Sequence, residues 1–358
     1  MTIHHLSHTD LDGYSCQLVM QYTGHAMHFY NANYGAEVPE RLEQIVEALG
    51  NTDEAMILIT DLNLTLDEAR RLDADVRRLN ESGKRITLQL LDHHGSGREC
   101  AERYDWYVLD TGRSATKITY EFVKAKGWLA DEPAWLEEYV QIVNAVDLWL
   151  QNESERFEYG KVLMRLVTDT RELNRTVFAE QDRTYKLSLL KEAATLIGRP
   201  DAPIVLDESI HAMKKGFFRK DRDDTLDNLA TRYIVELFGQ KRDEMTIYYR
   251  GYRGFLSYGI GNTSIIGNGF LLAYPEYDFI VDVSPRGTMS LRANNNVDVS
   301  QIAKEWAGGG GHPNASGGRI QGFKEQFRYD KVKAQIEALI ARKESVSGKL
   351  EQKVEAEG

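Results

Sequence analysis

The chain has 358 residues, of which 42% are hydrophobic and 28% are charged, and its formal net charge is −11 at pH 7. This length favours two domains, and no apolar run approaches the roughly 20 residues that cross a bilayer. The negative charge argues against a protein that binds long duplex DNA, because such proteins usually carry a basic surface. Two cysteines without metal-site spacing, and an N-terminus without signal-peptide features, predict a cytoplasmic protein.

Residues 1 to about 150 alternate predicted strands with predicted helices. The strands are predicted at 3–8, 26–31, 55–60, 86–91 and 105–109, and the helices between them at 13–22, 38–49, 65–81 and 113–127. This order is typical of a parallel sheet with helices on both faces. Open sheets of this kind bind their ligands at the carboxyl ends of the strands. The predicted fold class is therefore α/β.

Acidic and imidazole side chains follow these predicted strands. In chain order they are His8, Asp10, Asp12, Asp61, Asp92, His93 and His94, and Asp147 interrupts an apolar helical stretch further on. If the first strand continued, alternation would place His8, Asp10 and Asp12 on one face. Carboxylate and imidazole ligands suit a divalent metal such as Mn²⁺ or Zn²⁺. The alternative is that Asp12 and Asp61 only cap the helices that follow them.

The turn from Asp110 to Thr116 opens the next predicted helix. Small hydroxyls and backbone donors at a helix N-terminus suit a phosphate, and Ser114 is the candidate contact. An ordinary N-cap by Ser114 or Thr111 explains the same pattern, and both roles can hold together.

Three further segments are predicted after the first domain, which spans 1–200. A charged helical linker covers 201–243, a smaller α/β domain covers 244–342, and a polar tail covers 343–358. The second domain has predicted strands at 245–250, 255–260, 279–283 and 288–293, with helices at 264–273 and 299–306. Its candidate binding residues are Arg292, in a strand, and His312, which follows the glycine run 308–311.

Five ordered motifs give the chain a specific resemblance. His8/Asp10/Asp12, Asp61, Asp92-His93-His94 and Asp147 resemble the four motifs of DHH phosphoesterases, and Gly308-Gly309-Gly310-Gly311-His312 resembles the GGGH signature of their DHHA1 partner domain. Together the motifs cover residues 1 to about 342. Within the DHH/DHHA1 superfamily the chain looks most like the NrnB-type oligoribonucleases and their cyclic-nucleotide phosphodiesterase relatives. The fold implied is an N-terminal parallel-sheet domain and a smaller C-terminal α/β domain, joined by a helical linker.

The resemblance implies two Mn²⁺ ions, with Mg²⁺ or another divalent ion as the alternative. It assigns Asp10, Asp12, Asp61, His93 and Asp147 as direct ligands, with Asp61 as a bridge. His8 is either a ligand or a group behind the ligands, because many members space this histidine further from the aspartates. Asp92 either orients His93 or binds metal, and His94 contacts the substrate phosphate. Two such ions activate a water for hydrolysis.

The second domain is implied to bind the substrate through Arg292, Gly310, Gly311 and His312. A guanidinium can donate two hydrogen bonds to a phosphate, and glycines let backbone N–H groups approach a ligand. A surface salt bridge is the alternative for Arg292, and a flexible loop is the alternative for the glycine run.

The function predicted is hydrolysis of short oligoribonucleotides or of linear or cyclic dinucleotides to mononucleotides. We expect no membrane partner and no long duplex DNA, and the sequence leaves a homodimer open. Three alternatives are weighed. A RecJ-like single-strand DNA exonuclease usually adds an oligonucleotide-binding domain and a basic surface. A manganese pyrophosphatase lacks the GGGH motif. A nucleotide sensor without turnover has no need of the full set of acids and histidines.

Overall fold

The structure, a computed structural model, describes the backbone of residues 1–357 and the side chains of residues 1–345. The chain folds into two compact units. The first contains Met1–Thr170 and Ala179–Phe217, and the second contains Arg171–Phe178 and the chain from Phe218 onward. The short segment Arg171–Phe178 thus belongs to the second unit, although its neighbours along the chain belong to the first.

The first unit is built on a sheet of five parallel strands, in the order β2-β1-β3-β4-β5. The strands are β1 (Thr2–Ser7), β2 (Ala26–Asn31), β3 (Glu54–Thr60), β4 (Arg85–Asp92) and β5 (Tyr107–Leu109). The helices are α1 (Leu11–Met20), α2 (Glu37–Leu49), α3 (Leu66–Glu81), α4 (Arg98–Arg103), α5 (Ala115–Ala125), α6 (Leu136–Asp147), α7 (Ser154–Asp169), α8 (Ala179–Ala194) and α9 (Ala202–Phe218). A short 3₁₀ turn, Gly95–Gly97, lies between β4 and α4.

Both faces of this sheet are covered, as strand β3 shows. Ile57 and Ile59 belong to a buried cluster with residues of α2 and α3, whereas Met56 and Leu58 belong to a second cluster with residues of α1, α5 and α6. Successive side chains of a strand point to opposite faces, so an apolar run such as this one is buried on both sides. The predicted parallel α/β sheet is confirmed.

Side chains cap the N-termini of the helices that follow strands β3 and β1. Thr65 and Glu68 form the capping box expected at the start of α3. Strand β1, in contrast, ends at Ser7, and the side chain of Asp10 caps α1 by accepting a hydrogen bond from the N–H of Gly13. The expectation that the strand continues to Asp12 is therefore wrong, because this cap begins a helix that carries Asp12 in its first turn.

The second unit contains a mixed sheet of six strands in the order β10-β11-β9-β8-β7-β6. Strands β7 and β8 are parallel, and the other pairs are antiparallel. Its elements are α10 (Leu226–Gln240), α11 (Arg242–Met245), β6 (Thr246–Tyr249), β7 (Tyr252–Tyr258), α12 (Thr263–Ala273), β8 (Phe279–Val283), β9 (Thr288–Ala293), α13 (Val299–Ala307), β10 (Gly310–His312), β11 (Ala315–Arg319) and α14 (Tyr329–Glu357). The second α/β unit expected from the sequence is thus present.

The segment predicted as one helical linker, 201–243, contains α9, α10 and the start of α11, and α9 and α10 belong to different units. The break between α9 and α10 has a local cause, because Thr225 caps α10 and the side chain of Asp224 accepts a hydrogen bond from the N–H of Thr225. At the other end, α14 continues into the predicted polar tail 343–358, whose side chains from 346 onward lie outside the described residues. No helix in the described part of the chain has the length and apolar character needed to cross a membrane.

Candidate metal centre and substrate-binding residues

The predicted acids and imidazoles of the first unit converge into one centre. Within the described chain, three groups of these side chains have potential ligand atoms within 4.8 Å of one another. The groups are His8, Asp10 and Asp61; Asp12, His93 and Asp147; and Asp61, His93 and His94. Because Asp61 and His93 each belong to two groups, the three groups are continuous.

Asp61 lies at the middle of this centre. It follows β3 directly, its side chain is buried, and its backbone has a φ of 57°, in the left-handed region. A residue other than glycine is uncommon there and is usually held by its surroundings. One carboxylate oxygen lies 3.3 Å from His93 Nε2, and the other lies 3.6 Å from His8 Nδ1. Asp61 therefore connects the group of His8 to the group of His93.

Asp12 is held by the first turn of α5. Its carboxylate accepts hydrogen bonds from the backbone N–H groups of Ala115, at 2.7 Å, and Thr116, at 2.9 Å. A carboxylate at this position satisfies N–H groups without partners in the helix and interacts favourably with the helix dipole. The same carboxylate lies 3.8 Å from His93 Nε2. Asp12 thus caps a helix distant in the chain, whereas α1, in whose first turn Asp12 lies, is capped by Asp10.

Asp147, at the end of α6, completes the second group. Its Oδ2 lies 3.5 Å from His93 Nδ1. Burial, with the charges of Asp12 and Asp10, raises the pKa of Asp147 to about 8. Burial, with the charges of Asp10 and Asp12, likewise raises the pKa of Asp61 well above its usual range. Buried carboxylates this close repel one another unless a cation or a proton offsets their charge.

Two buried carboxylate oxygens of the centre lack hydrogen-bond partners in the described part of the chain, which bears on whether a cation fits there. Oδ2 of Asp61 and Oδ2 of Asp147 are buried and accept no hydrogen bond from the described residues. Buried polar atoms in proteins nearly always have a partner. Oxygen and imidazole nitrogen are the donors that divalent ions such as Mn²⁺ and Zn²⁺ take. The residues present therefore fit a divalent metal.

His8 lies within this centre, since its Nδ1 is 3.0 Å from Asp10 Oδ2. Burial lowers the pKa of His8, but the neighbouring carboxylates of Asp10 and Asp61 raise it to about 10. Burial in turn raises the pKa of Asp10, but the contact with His8 lowers it to about 2. Of the two roles left open for His8, this placement favours that of a ligand.

Asp92 has different partners from those expected. Its Oδ1 lies 2.7 Å from Nδ1 of His94, and its Oδ2 accepts a hydrogen bond of 2.6 Å from the hydroxyl of Tyr107. Asp92 is in none of the three groups found among the described residues. The structure thus places its carboxylate on His94 instead of His93, and outside the three groups of potential ligand atoms.

Two tyrosines at the centre were missed by sequence reasoning. Tyr107 reaches Asp92 because the register of β4 and β5 pairs it with Leu90, near the end of β4. Tyr34 is 44% exposed, and its hydroxyl lies 3.2 Å from His94 Nδ1. Tyr34 follows β2, and this position after a parallel strand could have indicated from the sequence that it lies near the site. No local pattern distinguishes Tyr107, because its contact depends on strand register.

Ser114 is placed as a cap. Its hydroxyl is buried and accepts a hydrogen bond from the N–H of Lys117, while its own N–H donates to the side chain of Asn144. The next two N–H groups of the helix bind Asp12. The capping alternative is therefore the one observed, and this geometry does not support a phosphate contact by Ser114.

In the second unit, His312 and Arg292 flank Ala315 across the sheet. His312 pairs with Ala315, and Ala315 pairs with Arg292, so the three residues lie in one row across β10, β11 and β9. Directly paired residues point to the same face of a sheet. His312 is exposed, and Arg292 donates hydrogen bonds to Ser264 Oγ and to the carbonyl of Leu291. No ion pair of Arg292 occurs among the described residues, so the salt-bridge alternative is not observed.

The second half of the glycine run is in an edge strand and not in an open loop, whereas Gly308 ends α13. Gly310 and Gly311 pair with Gly317 and Ser316. A Cβ on Gly311 would lie 2.6 Å from the carbonyl oxygen of Ala315, and Gly311 has a φ of 147°. The close backbone approach that requires glycine at Gly311 is therefore to β11. Gly310 is exposed, and a Cβ there would meet nothing within 4 Å.

Comparisons with known proteins agree with this architecture, although no family model matches the chain. A 3′,5′-cyclic-nucleotide phosphodiesterase of Helicobacter pylori (strain ATCC 700392 / 26695) is 44% identical over 345 residues, which are 95% of this chain and 99% of that protein. Oligoribonuclease NrnB of Bacillus subtilis (strain 168) is 29% identical over 350 residues, which are 92% of this chain and 77% of that protein. The crystal structure of an uncharacterized protein from Helicobacter pylori G27 has a TM-score of 0.88 and 43% identity, and it covers 95% of this chain and 100% of its own.

A parallel sheet whose strand ends collect acids and imidazoles, with a second α/β unit carrying the GGGH strand, defines a DHH-type phosphoesterase. The chain belongs to the DHH/DHHA1 phosphoesterase superfamily, in the same family as the Helicobacter pylori phosphodiesterase that it matches over nearly its whole length.

Proposed function

We propose that the protein is a metal-dependent phosphodiesterase that hydrolyses short oligoribonucleotides, or linear or cyclic dinucleotides, to mononucleotides. The observation that carries this proposal is the position of Asp61. Its buried carboxylate lies between His8 and His93 and joins two groups of potential ligands. Two adjacent groups sharing one carboxylate suit a pair of divalent ions.

The two ions are proposed to be Mn²⁺. His8, Asp10 and Asp61 would hold one, and Asp12, Asp61, His93 and Asp147 would hold the other. Such a pair, when bound, supplies an activated water and neutralises charge on the phosphoryl oxygens. The rise in the pKa of the Asp61 carboxyl supports this assignment, because a cation would favour its charged form.

The residues around the ions bind and orient the substrate phosphate. Asp92 holds the Nδ1 side of His94, so Nε2 is directed away from Asp92 and donates to a phosphoryl oxygen in the imidazolium form, in which both ring nitrogens carry a proton. Backbone N–H groups in the first turn of α5 hold the carboxylate of Asp12. This proposed metal ligand is therefore oriented by the backbone and not by a mobile side chain. Pre-oriented groups of this kind lower the cost of reaching the transition state.

Arg292 and His312 are proposed to bind a phosphate or base of the substrate away from the reacting bond. The guanidinium of Arg292 is oriented by Ser264, and a planar donor pair matches a phosphate. His312 is exposed and lies on the same face of the sheet, where its ring can stack on a base. Gly310, beside it on the edge strand, leaves room for this approach.

Net charge supports a short substrate. A chain with a net charge of −11 has little general attraction for a long polyanion. This argues against the RecJ-like alternative, which requires a basic track for a long strand. A 3′,5′-cyclic mononucleotide is a second candidate substrate, and the observation that favours it is the 44% identity to a protein named for that activity.

The test uses the Mn²⁺-loaded protein with RNA and DNA ladders from dinucleotides to 24-mers, and with 3′,5′-cyclic mononucleotides, in separate reactions. We expect the shortest RNA oligomers to be converted to mononucleotides at the highest rate. The Asp61→Asn variant, prepared in parallel, controls for a contaminating nuclease. Faster degradation of the long DNA strands would overturn the proposal, and turnover of the cyclic mononucleotide alone would replace it with the second candidate.

A further inference from the structure

Tyr107 is a buried tyrosine whose hydroxyl is directed at a single carboxylate oxygen. It donates a hydrogen bond of 2.6 Å to Oδ2 of Asp92, which is fully buried. The other oxygen of Asp92 lies 2.7 Å from Nδ1 of His94. No other donor to Oδ2 of Asp92 occurs among the described residues. Tyr107, Asp92 and His94 thus form a continuous chain of hydrogen bonds that ends at the candidate metal centre.

The donors and acceptors of this chain have a definite order. A tyrosine hydroxyl that donates to a carboxylate leaves the carboxylate as the acceptor for the next contact. His94 must then carry its proton on Nδ1, the nitrogen that faces Asp92. The ring orientation that results directs Nε2 away from Asp92. The hydroxyl oxygen of Tyr34, 3.2 Å from the same Nδ1, can accept from it, so this contact is compatible with the same tautomer.

The space around the hydroxyl of Tyr107 is restricted from the other side by Gly97. A Cβ added at Gly97 would collide with this hydroxyl. The backbone at Gly97 has φ −80°, so its conformation does not require glycine. Glycine at this position therefore leaves space for the hydroxyl of Tyr107. At Gly95, in the same turn, an added Cβ would meet nothing within 4 Å.

We propose that Tyr107 is a positioning residue, which acts through Asp92 to keep the Nδ1–H of His94 on Asp92 and the ring in one orientation, so that Nε2 faces the substrate and donates to its phosphate in the imidazolium form. This role rests on the proposed phosphodiesterase function. Without the hydroxyl, Oδ2 of Asp92 is buried without a hydrogen-bond donor, which costs free energy. The carboxylate is then expected to rotate toward other donors. His94 then loses its fixed partner, although the candidate metal ligands remain in place.

The experiment compares two variants that remove the same contact by different means. Tyr107→Phe deletes the hydroxyl, and Gly97→Ala displaces it. We expect each to lower kcat roughly tenfold, about 1.4 kcal/mol in the barrier, with KM and bound metal unchanged. In a His94→Ala background neither should cause a further loss, because coupled residues are not additive.

Matched controls separate positioning from stability. Tyr159→Phe removes the hydroxyl of another buried tyrosine in the same unit, which donates to the carbonyl of Ala193. Gly95→Ala adds a methyl group in the same turn without a collision. Both should keep wild-type kcat. Two results would assign Tyr107 a merely structural role. One is a tenfold loss of kcat in the control variants. The other is a loss of kcat from Tyr107→Phe that is as large in the His94→Ala background as in the wild type.

A second readout does not depend on the substrate. Nitrogen-15 NMR of the protein loaded with diamagnetic Mg²⁺ reports which imidazole nitrogen of His94 carries the proton. We expect the proton on Nδ1 in the wild type and a mixture of tautomers in Tyr107→Phe. Identical His94 spectra in the two proteins would overturn the proposal, even if the substrate assignment holds. A changed spectrum supports the positioning role even if another substrate is found.

Discussion

The carboxylate of Asp12 accepts a hydrogen bond from the backbone N–H of Thr116 at 2.9 Å. The hydroxyl of Thr116 in turn donates to the backbone carbonyl of Asp12, also at 2.9 Å. This reciprocal pair joins the first turn of α1 to the first turn of α5. One acid therefore caps a helix and belongs to the candidate metal centre, so the orientation of the acid is set before any ion binds.

We expect Asp12→Asn to reduce the number of bound ions from two to one and to abolish turnover. The amide is neutral, and its NH₂ group can neither accept the second backbone hydrogen bond nor bind a metal, so one acceptor oxygen remains where the carboxylate offers two. Elemental analysis of dialysed protein measures the ions. The control is Asp110→Asn, which changes an acid that accepts from Gly112 and Arg113 just before the same helix. Retention of two ions by Asp12→Asn would contradict the assignment.

His93→Ala and Asp92→Ala should both abolish hydrolysis, but for different reasons. His93 lies between Asp61, Asp12 and Asp147, so its loss should remove bound metal. Asp92 contacts His94 and Tyr107, so its loss should leave the metal content unchanged.

Circular dichroism, metal analysis and turnover are measured on the same samples of these two variants. The control is His211→Ala, which removes an exposed histidine of α9. Turnover within a few-fold of wild type in His93→Ala would refute the proposed centre. Loss of metal in Asp92→Ala would return Asp92 to the set of ligands.

The metal-free protein should become less stable as the pH rises from about 4 to about 8. The folded chain holds a proton on Asp147, whose pKa is raised to about 8, whereas the unfolded chain releases it near its usual value of 3.8. The unfolded state therefore binds fewer protons in this range, and the free energy of unfolding falls by up to about 1.4 kcal/mol per pH unit for such a group.

Thermal unfolding of metal-free wild type and Asp147→Asn, at about pH 5 and pH 8, isolates this effect from other titrating groups. We expect a smaller decrease in Tm for the variant, and a rise in the Tm of the wild type at pH 8 when Mn²⁺ is added. The same pH dependence in both proteins would argue against a raised pKa at Asp147.

Arg292→Ala and His312→Ala should lower turnover of oligoribonucleotides far more than turnover of a small chromogenic phosphodiester. Both residues belong to the second unit, and contacts to remote parts of a substrate improve its positioning. Comparing kcat/KM for the two substrates measures the difference. Arg286→Ala removes an exposed arginine of the same unit and controls for net charge. Equal losses on both substrates would indicate a folding defect or a direct chemical role.

Binding of substrate should depend weakly on salt. Each phosphate neutralised by a cationic side chain contributes roughly 0.7 log units of affinity per log unit of salt for a single strand. If Arg292 is the principal side-chain contact, the slope should stay near this value, and rates should peak with RNA of about two to five nucleotides, a range that the family resemblance sets. Rates and Kd values for dinucleotides through 24-mers at several salt concentrations measure both. A steep slope with preference for the longest strands would favour the RecJ-like alternative.

Much of the architecture could be predicted from local patterns. The apolar run at 55–60 predicts β3, and Thr65 with Glu68 predicts the start of α3, because each depends on neighbours in the chain. The same holds for the acids that end strands, since parallel strands bring their carboxyl ends to one edge. The extension of β1 to Asp12 failed because the cap formed by Asp10 competes with the strand.

Strand periodicity and the order of the motifs can be read from the sequence alone. They therefore identify the residues proposed to carry the chemistry without any knowledge of the fold. The pairing of those residues depends on tertiary structure. Asp12 binds the start of α5, Asp92 binds Tyr107, and Gly310 and Gly311 pair with β11. Each of these contacts depends on strand register or on the placement of a helix that is distant in sequence. A one-residue shift in register turns a side chain to the other face of a sheet, so no local pattern can specify them.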